Sequence, residues 1–138
     1  MAEKEKAREM PIPISLLWDR ILLISIFRTL DSEWAQKVME AMLQKIVSSD
    51  SKIIIMDISA VTIVDTAVAN QIIKITKATK LIGCECIISG MSPFVAKSVV
   101  DLGISLEGII TSSSIKEAML QAFRICKLKI VSTKEITE

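Results

Sequence analysis

The sequence of 138 residues has no histidine, no tyrosine, and few other aromatic residues, two Trp and three Phe. Without histidine the chain has no Ser-His or Cys-His nucleophilic pair and no imidazole ligand for a metal. Its four glycines are not clustered, so it lacks a glycine-rich phosphate-binding loop. These absences exclude much catalytic chemistry, and we expect a protein that is not an enzyme and that uses no cofactor and no metal.

Excess charge and long apolar runs are also missing. The net charge of +1, together with the few aromatic residues, argues against a nucleic-acid-binding groove. The longest uncharged stretch, residues 86–96, has 11 residues, whereas a membrane-spanning helix needs about 20. The charged N-terminus lacks the apolar segment of a secretory signal, and the three cysteines have no disulfide-framework spacing. We therefore expect a cytoplasmic protein that binds neither nucleic acid nor membrane.

Aliphatic side chains are abundant, since 51% of the residues are hydrophobic and the mean hydropathy is +0.50. A chain of this length is expected to form one domain, because a single core serves roughly 100–200 residues. We assign residues 1–10 to a charged N-terminal arm or linker remnant, residues 11–127 to the domain, and residues 128–138 to a C-terminal tail.

The order of apolar runs and helix-capping residues predicts an α/β fold, a mixed sheet of about five strands covered by about four helices. An apolar run over 53–56, with polar residues only at its ends, is typical of a central strand buried on both faces. The other strands are predicted at Ile14–Trp18, 21–27, Glu85–Ser89 and 109–110. Helices are predicted at 32–47, Thr66–Leu81, 93–102 and 115–127, each preceded by Asp or Ser as a cap.

The strongest candidate for chemistry is the junction after the third predicted strand. Asp57 and Asp65 flank this junction, and Thr66 begins the next helix. In open α/β sheets, ligands gather at the carboxyl ends of strands, near helix N-termini. Two carboxylates would suit a divalent cation, and a hydroxyl at a helix start would suit a phosphate. The alternative, which composition alone favours, is that Asp65 simply caps the helix and Thr66 occupies its first turn.

Cysteine and tryptophan offer weaker candidates. Cys84 and Cys86 are spaced as a metal or redox pair would be, yet with one further thiol and no histidine, burial in the core is the favoured interpretation. Trp18 and Trp34 are interpreted as packing residues, with an interface role left open.

The junction and the segments C-terminal to it resemble the STAS domain (sulphate transporter and anti-sigma-factor antagonist), most of all the R-type branch that builds the stressosome. The resemblance covers residues 11–124. Several spaced motifs carry it in order, at residues 56–61, 63–69, 81–83, 90–93, 95–96 and 102–106.

The resemblance implies a regulatory protein. Domains of this family stack into large assemblies that hold a serine/threonine kinase until phosphorylation releases it, and the released kinase starts a partner switch that ends at an alternative sigma factor. The family's phosphoacceptor follows the Asp at the helix start, which is Thr66 here. A second acceptor of R-type members matches Ser98, where threonine is more usual. Asp57, Ser59 and Asp65 then flank the first acceptor and are expected to serve docking.

The expected partners are a partner-switching serine/threonine kinase, other STAS scaffold proteins and further copies of this chain. Two alternatives stay open: a stand-alone anti-sigma-factor antagonist that binds an anti-sigma kinase one to one, and a small nucleotide- or metal-binding protein that uses Asp57 and Asp65. R-type proteins normally carry a sensory domain ahead of the STAS domain, so we expect either a short stand-alone paralogue or a C-terminal piece of a longer protein.

Overall fold

The strands and helices were located in a computed structural model, which describes residues 12–135. The five strands are β1 (Ile14–Trp18), β2 (Ile21–Ser25), β3 (Ile53–Asp57), β4 (Glu85–Ser89) and β5 (Ile110–Ser112). The four helices are α1 (Ser32–Ser49), α2 (Thr66–Leu81), α3 (Pro93–Asp101) and α4 (Ile115–Ile125), and a short 3₁₀ turn covers Thr133–Glu135. The predicted arm at residues 1–10 lies outside the described residues.

The strands form one sheet in the order β1-β2-β3-β4-β5. β1 is antiparallel to β2, whereas β2, β3, β4 and β5 run parallel to one another. Parallel strands that follow one another in sequence are also neighbours in the sheet, and the helix that connects each pair crosses over in the same right-handed sense. Helices α1, α2 and α3 therefore all lie on one face. Helix α4, which comes after the last strand, covers the opposite face with buried side chains, Ala118, Ala122 and Phe123. The predicted mixed α/β sheet of five strands and four helices is confirmed.

The centre of the sheet is β3, in which every residue is buried. Ile54 and Met56 pack against the three-helix layer, while Ile53 and Ile55 pack against α4. This strand is apolar on both faces up to its last residue, Asp57, as expected for a strand covered by helices on each side. The acidic side chain at its end therefore needs partners of its own.

Several element ends differ from the predicted ones because non-glycine residues take the left-handed conformation. Asp50 (φ 50°) closes α1 after Ser49, two residues later than predicted. Lys127 (φ 62°) follows α4, which ends at Ile125 and not at Lys127. Glycine usually fills this position, so neither end is marked in the sequence. Strand β2 ends at Ser25, two residues before the predicted end.

The two tryptophans have different environments. Trp34 is buried in the three-helix layer, consistent with a packing role. Trp18 remains 54% exposed, with its ring edge-on to Phe123 at a centroid distance of 5.6 Å. Within residues 12–135 no helix is both long and apolar enough to cross a membrane.

Candidate functional site: the carboxyl edge of the sheet

The candidate site lies where the parallel strands end. Strands β2 to β5 all terminate at one edge, and their last residues share a register row, Ser25, Asp57, Ser89 and Ser112. The loop from β3 to α2 (residues 58–65) and the turn from β4 to α3 (residues 90–92) leave this edge. The predicted junction therefore lies at the edge where open α/β sheets bind ligands.

Thr66 is the first residue of α2, and it is exposed. The Asp65 side chain before it accepts a hydrogen bond of 2.8 Å from the Val68 N–H, which makes Asp65 the N-cap. The Thr66 hydroxyl has no hydrogen-bond partner among residues 12–135. Thus a free hydroxyl stands at a helix N-terminus, where unpaired N–H groups and the helix dipole favour negative charge.

Asp57, in contrast, is buried and only 7% exposed. Its Oδ2 accepts a hydrogen bond of 2.5 Å from the Ser59 hydroxyl, and its Oδ1 accepts one of 2.9 Å from the Ser89 hydroxyl. We call these three side chains the carboxylate latch, because they join the end of β3 to the β3–α2 loop and to β4. A buried carboxylate without such donors would be very costly.

Gly90 completes the latch from the side of β4. Its φ is +78°, and a Cβ on it would lie 2.7 Å from Asp57 Oδ1 and 2.9 Å from Ser59 Cβ. Only glycine avoids both the strained backbone and this overlap. Sequence reasoning missed Ser89 and Gly90 as site residues: it assigned one to a strand and the other to a turn, and their contacts with Asp57 depend on the register of β3 against β4.

Each of the two junction carboxylates has hydrogen-bond partners within the protein. Asp57 is engaged by hydroxyl groups, and Asp65 caps α2. Within the described part of the chain, no group of three or more His, Cys, Asp or Glu residues is placed to hold a metal ion. The junction therefore combines a buried, hydrogen-bonded carboxylate, a capping carboxylate and the exposed hydroxyl of Thr66.

Ser98, the second predicted acceptor, lies in the middle of α3 and is half-buried. Its hydroxyl donates to the Phe94 carbonyl at 3.0 Å, one turn earlier in the helix. This hydroxyl is therefore tied to its own helix, unlike that of Thr66, and it has to turn outward before it can react.

Exposed apolar side chains surround the acceptor end of the domain. Ile63, three residues before Thr66, is 75% exposed, and Phe94 in the first turn of α3 is 65% exposed. A groove of about 330 Å³ runs between residues 27–30 and 60–65, with Arg28 on its wall. The Arg28 guanidinium lies over the Trp34 ring, 4.5 Å from its centroid, in a cation–π contact.

The cysteines take no part in this site. Cys84 and Cys86 are both buried in the core under the three-helix layer, in agreement with the favoured interpretation. Burial raises the pKa of Cys84 to about 12, with a further contribution from the negative charge of Glu85. Burial also raises the pKa of Cys86 strongly, so neither thiol carries the charge that metal binding or redox exchange needs.

This fold places the chain among the mixed α/β domains, and its candidate site is a capped helix start with an exposed hydroxyl at the carboxyl edge of the sheet. The family model described as "STAS domain" matches residues 18–118, and the chain belongs to this family.

Several curated relatives of this chain are RsbT co-antagonist proteins. The chain is 32% identical over 133 residues to "RsbT co-antagonist protein RsbRA" of Bacillus subtilis, covering 96% of this chain and 48% of that protein. It is 36% identical over 118 residues to "RsbT co-antagonist protein RsbRD" of the same organism, covering 86% and 42%. The chain thus spans about half the length of the curated relatives it matches.

Solved structures agree with this placement. A variant of RsbS from Moorella thermoacetica has a TM-score of 0.71 and 26% identity, covering 86% of this chain and all of that one. A structure described as the molecular architecture of the stressosome gives the same TM-score and identity over 84% of this chain. The anti-sigma factor antagonist SpoIIAA shares the fold, with a TM-score of 0.61 at 14% identity.

Proposed function

We propose that this chain is a regulatory domain of a bacterial stressosome and that a serine/threonine kinase of the partner-switching type phosphorylates it on Thr66. Phosphorylation releases the kinase, which then starts the switch that ends at an alternative sigma factor. The role is regulatory and cytoplasmic, and we assign no catalysis to the chain. The similarity to RsbT co-antagonist proteins supports the class of function.

The observation that carries the proposal is the Thr66 hydroxyl. It is exposed at the start of α2, and it makes no hydrogen bond within residues 12–135 that a kinase would first have to break. The adjacent cap by Asp65 fixes the backbone around it. An acceptor that is free while its backbone is ordered suits a kinase, because little conformational entropy is lost on docking.

The effect of the phosphate follows from its charge of about −1.5 to −2. The N-terminus of α2 stabilises this charge, whereas the carboxylate of Asp65 opposes it. Asp57 lies beneath the surface with both oxygens bonded, so the phosphate meets mainly Asp65 and the exposed loop. We therefore expect the docking surface to change and the fold to persist.

The flanking residues have separate roles in this proposal. Ser59 and Asp65 are exposed and are available to a docked partner, while Asp57 is buried and acts through Ser59. Ser98 is proposed as a second, slower acceptor, because its hydroxyl is bonded to Phe94 and the middle of a helix gives little dipole stabilisation. Its phosphate would act through charge on an interface.

The partners in this proposal are the kinase, other STAS scaffold proteins and further copies of this chain. The similarity to a stressosome structure supports assembly into a large particle. Light scattering after size exclusion with co-expressed partners tests this. A megadalton particle supports the stressosome role, whereas a monomer or dimer that binds one kinase would favour a stand-alone antagonist, as the SpoIIAA fold allows.

The phosphorylation itself is tested with the cognate kinase and radiolabelled ATP. Wild type and Thr66→Ser should accept phosphate, while Thr66→Ala should lose most of the signal. Thr62→Ala is the matched control, because Thr62 is also an exposed threonine in the same junction. Equal labelling of wild type and Thr66→Ala would contradict the assignment, as would a wild type that accepts no phosphate within its assembly.

A further inference from the structure

The carboxylate latch connects two segments that are far apart in sequence. Ser89 and Asp57 are separated by 32 residues, yet the Ser89 hydroxyl donates to Asp57 Oδ1 at 2.9 Å. A second bond joins the same places through the backbone, from the Ile58 N–H to the Ser89 carbonyl at 2.9 Å. The first residue of the β3–α2 loop is thus fixed to the end of β4.

The other oxygen of Asp57 extends this connection into the loop. Ser59 is exposed, but its hydroxyl donates to Asp57 Oδ2 at 2.5 Å. Gly90 packs against the same two residues, since a Cβ on it would lie within 3.0 Å of Asp57 Oδ1, Ser59 Cβ and Ser59 N. The start of the loop is therefore enclosed on the side of β4.

The other end of this loop is held by the Asp65 cap, and Thr66 follows directly. In between, Val61 and Val64 are buried, while Thr62 and Ile63 are exposed. From this geometry we infer that Ser89 is a positioning residue for the phosphoacceptor. Acting through Asp57 and Ser59, it orders residues 58–65 and so fixes where Thr66 stands. The inference rests on the proposed function of Thr66.

Loss of the Ser89 hydroxyl leaves a buried carboxylate with one side-chain donor. The Asp57 carboxylate then gains by turning toward water, and Ser59 moves with it. A hydrogen bond to a charged group restrains local opening by roughly ten- to hundred-fold. Ser89→Ala should therefore speed amide hydrogen exchange over residues 58–66 by roughly that factor, while the central strand β3 stays protected.

The matched control is Ser112→Ala. Ser112 occupies the next position of the same register row, paired with Ser89, and is also buried. Its hydroxyl has no hydrogen-bond partner within residues 12–135. Ser112→Ala therefore removes a buried hydroxyl of the same kind without removing any hydrogen bond of the carboxylate latch. Ser59→Ala is a second test variant, because it breaks the latch from the exposed side and leaves the core intact.

Kinetics with the cognate kinase separate positioning from a loss of folding. A loosened loop has to become ordered when the kinase docks, so Ser89→Ala, which removes a buried hydroxyl, should raise KM by roughly tenfold with kcat nearly unchanged. A denaturation curve should show that each variant stays folded. The concentration of folded substrate is then the same as for wild type, so unfolding cannot be the cause of a higher KM. Ser112→Ala should match wild type in both exchange and KM.

Three results would overturn the inference. One is unchanged exchange over residues 58–66 in Ser89→Ala, another is faster exchange spread evenly over the sheet, and the third is an unchanged KM despite a looser loop. Failure of the proposed function has a different signature, since wild type would then accept no phosphate on Thr66. Hydrogen exchange would in that case still decide whether the latch orders the loop, but its role for an acceptor would be refuted.

Discussion

Replacement of Gly90 by alanine tests the latch through stability alone, without any partner. Gly90 has φ +78°, a conformation that costs an alanine about 1–2 kcal/mol, offset by about 0.4–1 kcal/mol from a less flexible unfolded chain. In addition, the new methyl group would lie 2.7 Å from Asp57 Oδ1 and 3.0 Å from the Ser59 backbone N. Relief of such overlap in a packed site costs typically about 1–3 kcal/mol. Taken together, these terms predict that Gly90→Ala loses about 1–4.6 kcal/mol of unfolding free energy.

Gly83→Ala is the control for this experiment. Gly83 has φ +84°, close to that of Gly90, but a Cβ on it would meet nothing within 4 Å. It should therefore lose only the backbone cost, about 1 kcal/mol or less. Urea denaturation followed by circular dichroism measures both variants, and equal slopes would show that the midpoints report stability. If the two variants agree within about 0.5 kcal/mol, the close packing of Gly90 on the latch is refuted.

Three further predictions concern single side chains. Asp65→Ala should reduce the unfolding free energy by about 1 kcal/mol, whereas Asp65→Asn should retain most of it because asparagine also caps helices; urea denaturation measures both. Since the pKa of Cys84 is raised to about 12, iodoacetamide at about pH 8 should label the partly exposed Cys126 and no buried thiol in the folded protein, as peptide mass spectrometry would record. Iodide should quench Trp18, which is 54% exposed, and leave Trp34, which is 6% exposed; residual quenching in Trp18→Phe would contradict this.

Much of the fold could be predicted because the sequence marks it locally. The 53–56 run is apolar at every position, which indicated a strand buried on both faces, and β3 is buried throughout. The helix starts after Asp31, Asp65, Ser92 and Ser114 were also predicted from their caps, and each of these side chains accepts the expected backbone N–H. The ends of α1 at Ser49 and α4 at Ile125 were missed because the left-handed residues that follow them, Asp50 and Lys127, are not glycine.

The residues of the candidate site likewise fall into those that the local sequence predicts and those that only the tertiary structure brings together. Asp65 and Thr66 are adjacent, so their roles as cap and exposed first residue follow from the local sequence. Asp57, Ser89 and Gly90 come together only through the pairing of β3 with β4, in which Asp57 lies opposite Ser89. A shift of one residue in this register would turn Asp57 toward the other face and break the latch. Such contacts depend on tertiary structure, and nothing in the spacing of the three residues indicated them.

The placement of the two junction carboxylates explains how a phosphate can alter the surface without unfolding the domain. Asp57 is buried with both oxygens bonded, while Asp65 is exposed and fixes the backbone of the acceptor. On the proposed function, a phosphate on Thr66 would act next to a carboxylate that faces water, where repulsion is screened. The same charge beside an unpaired buried carboxylate would destabilise the core by several kcal/mol. A reversible phosphorylation switch at Thr66 would need the first arrangement, because the domain would have to remain folded with and without the phosphate.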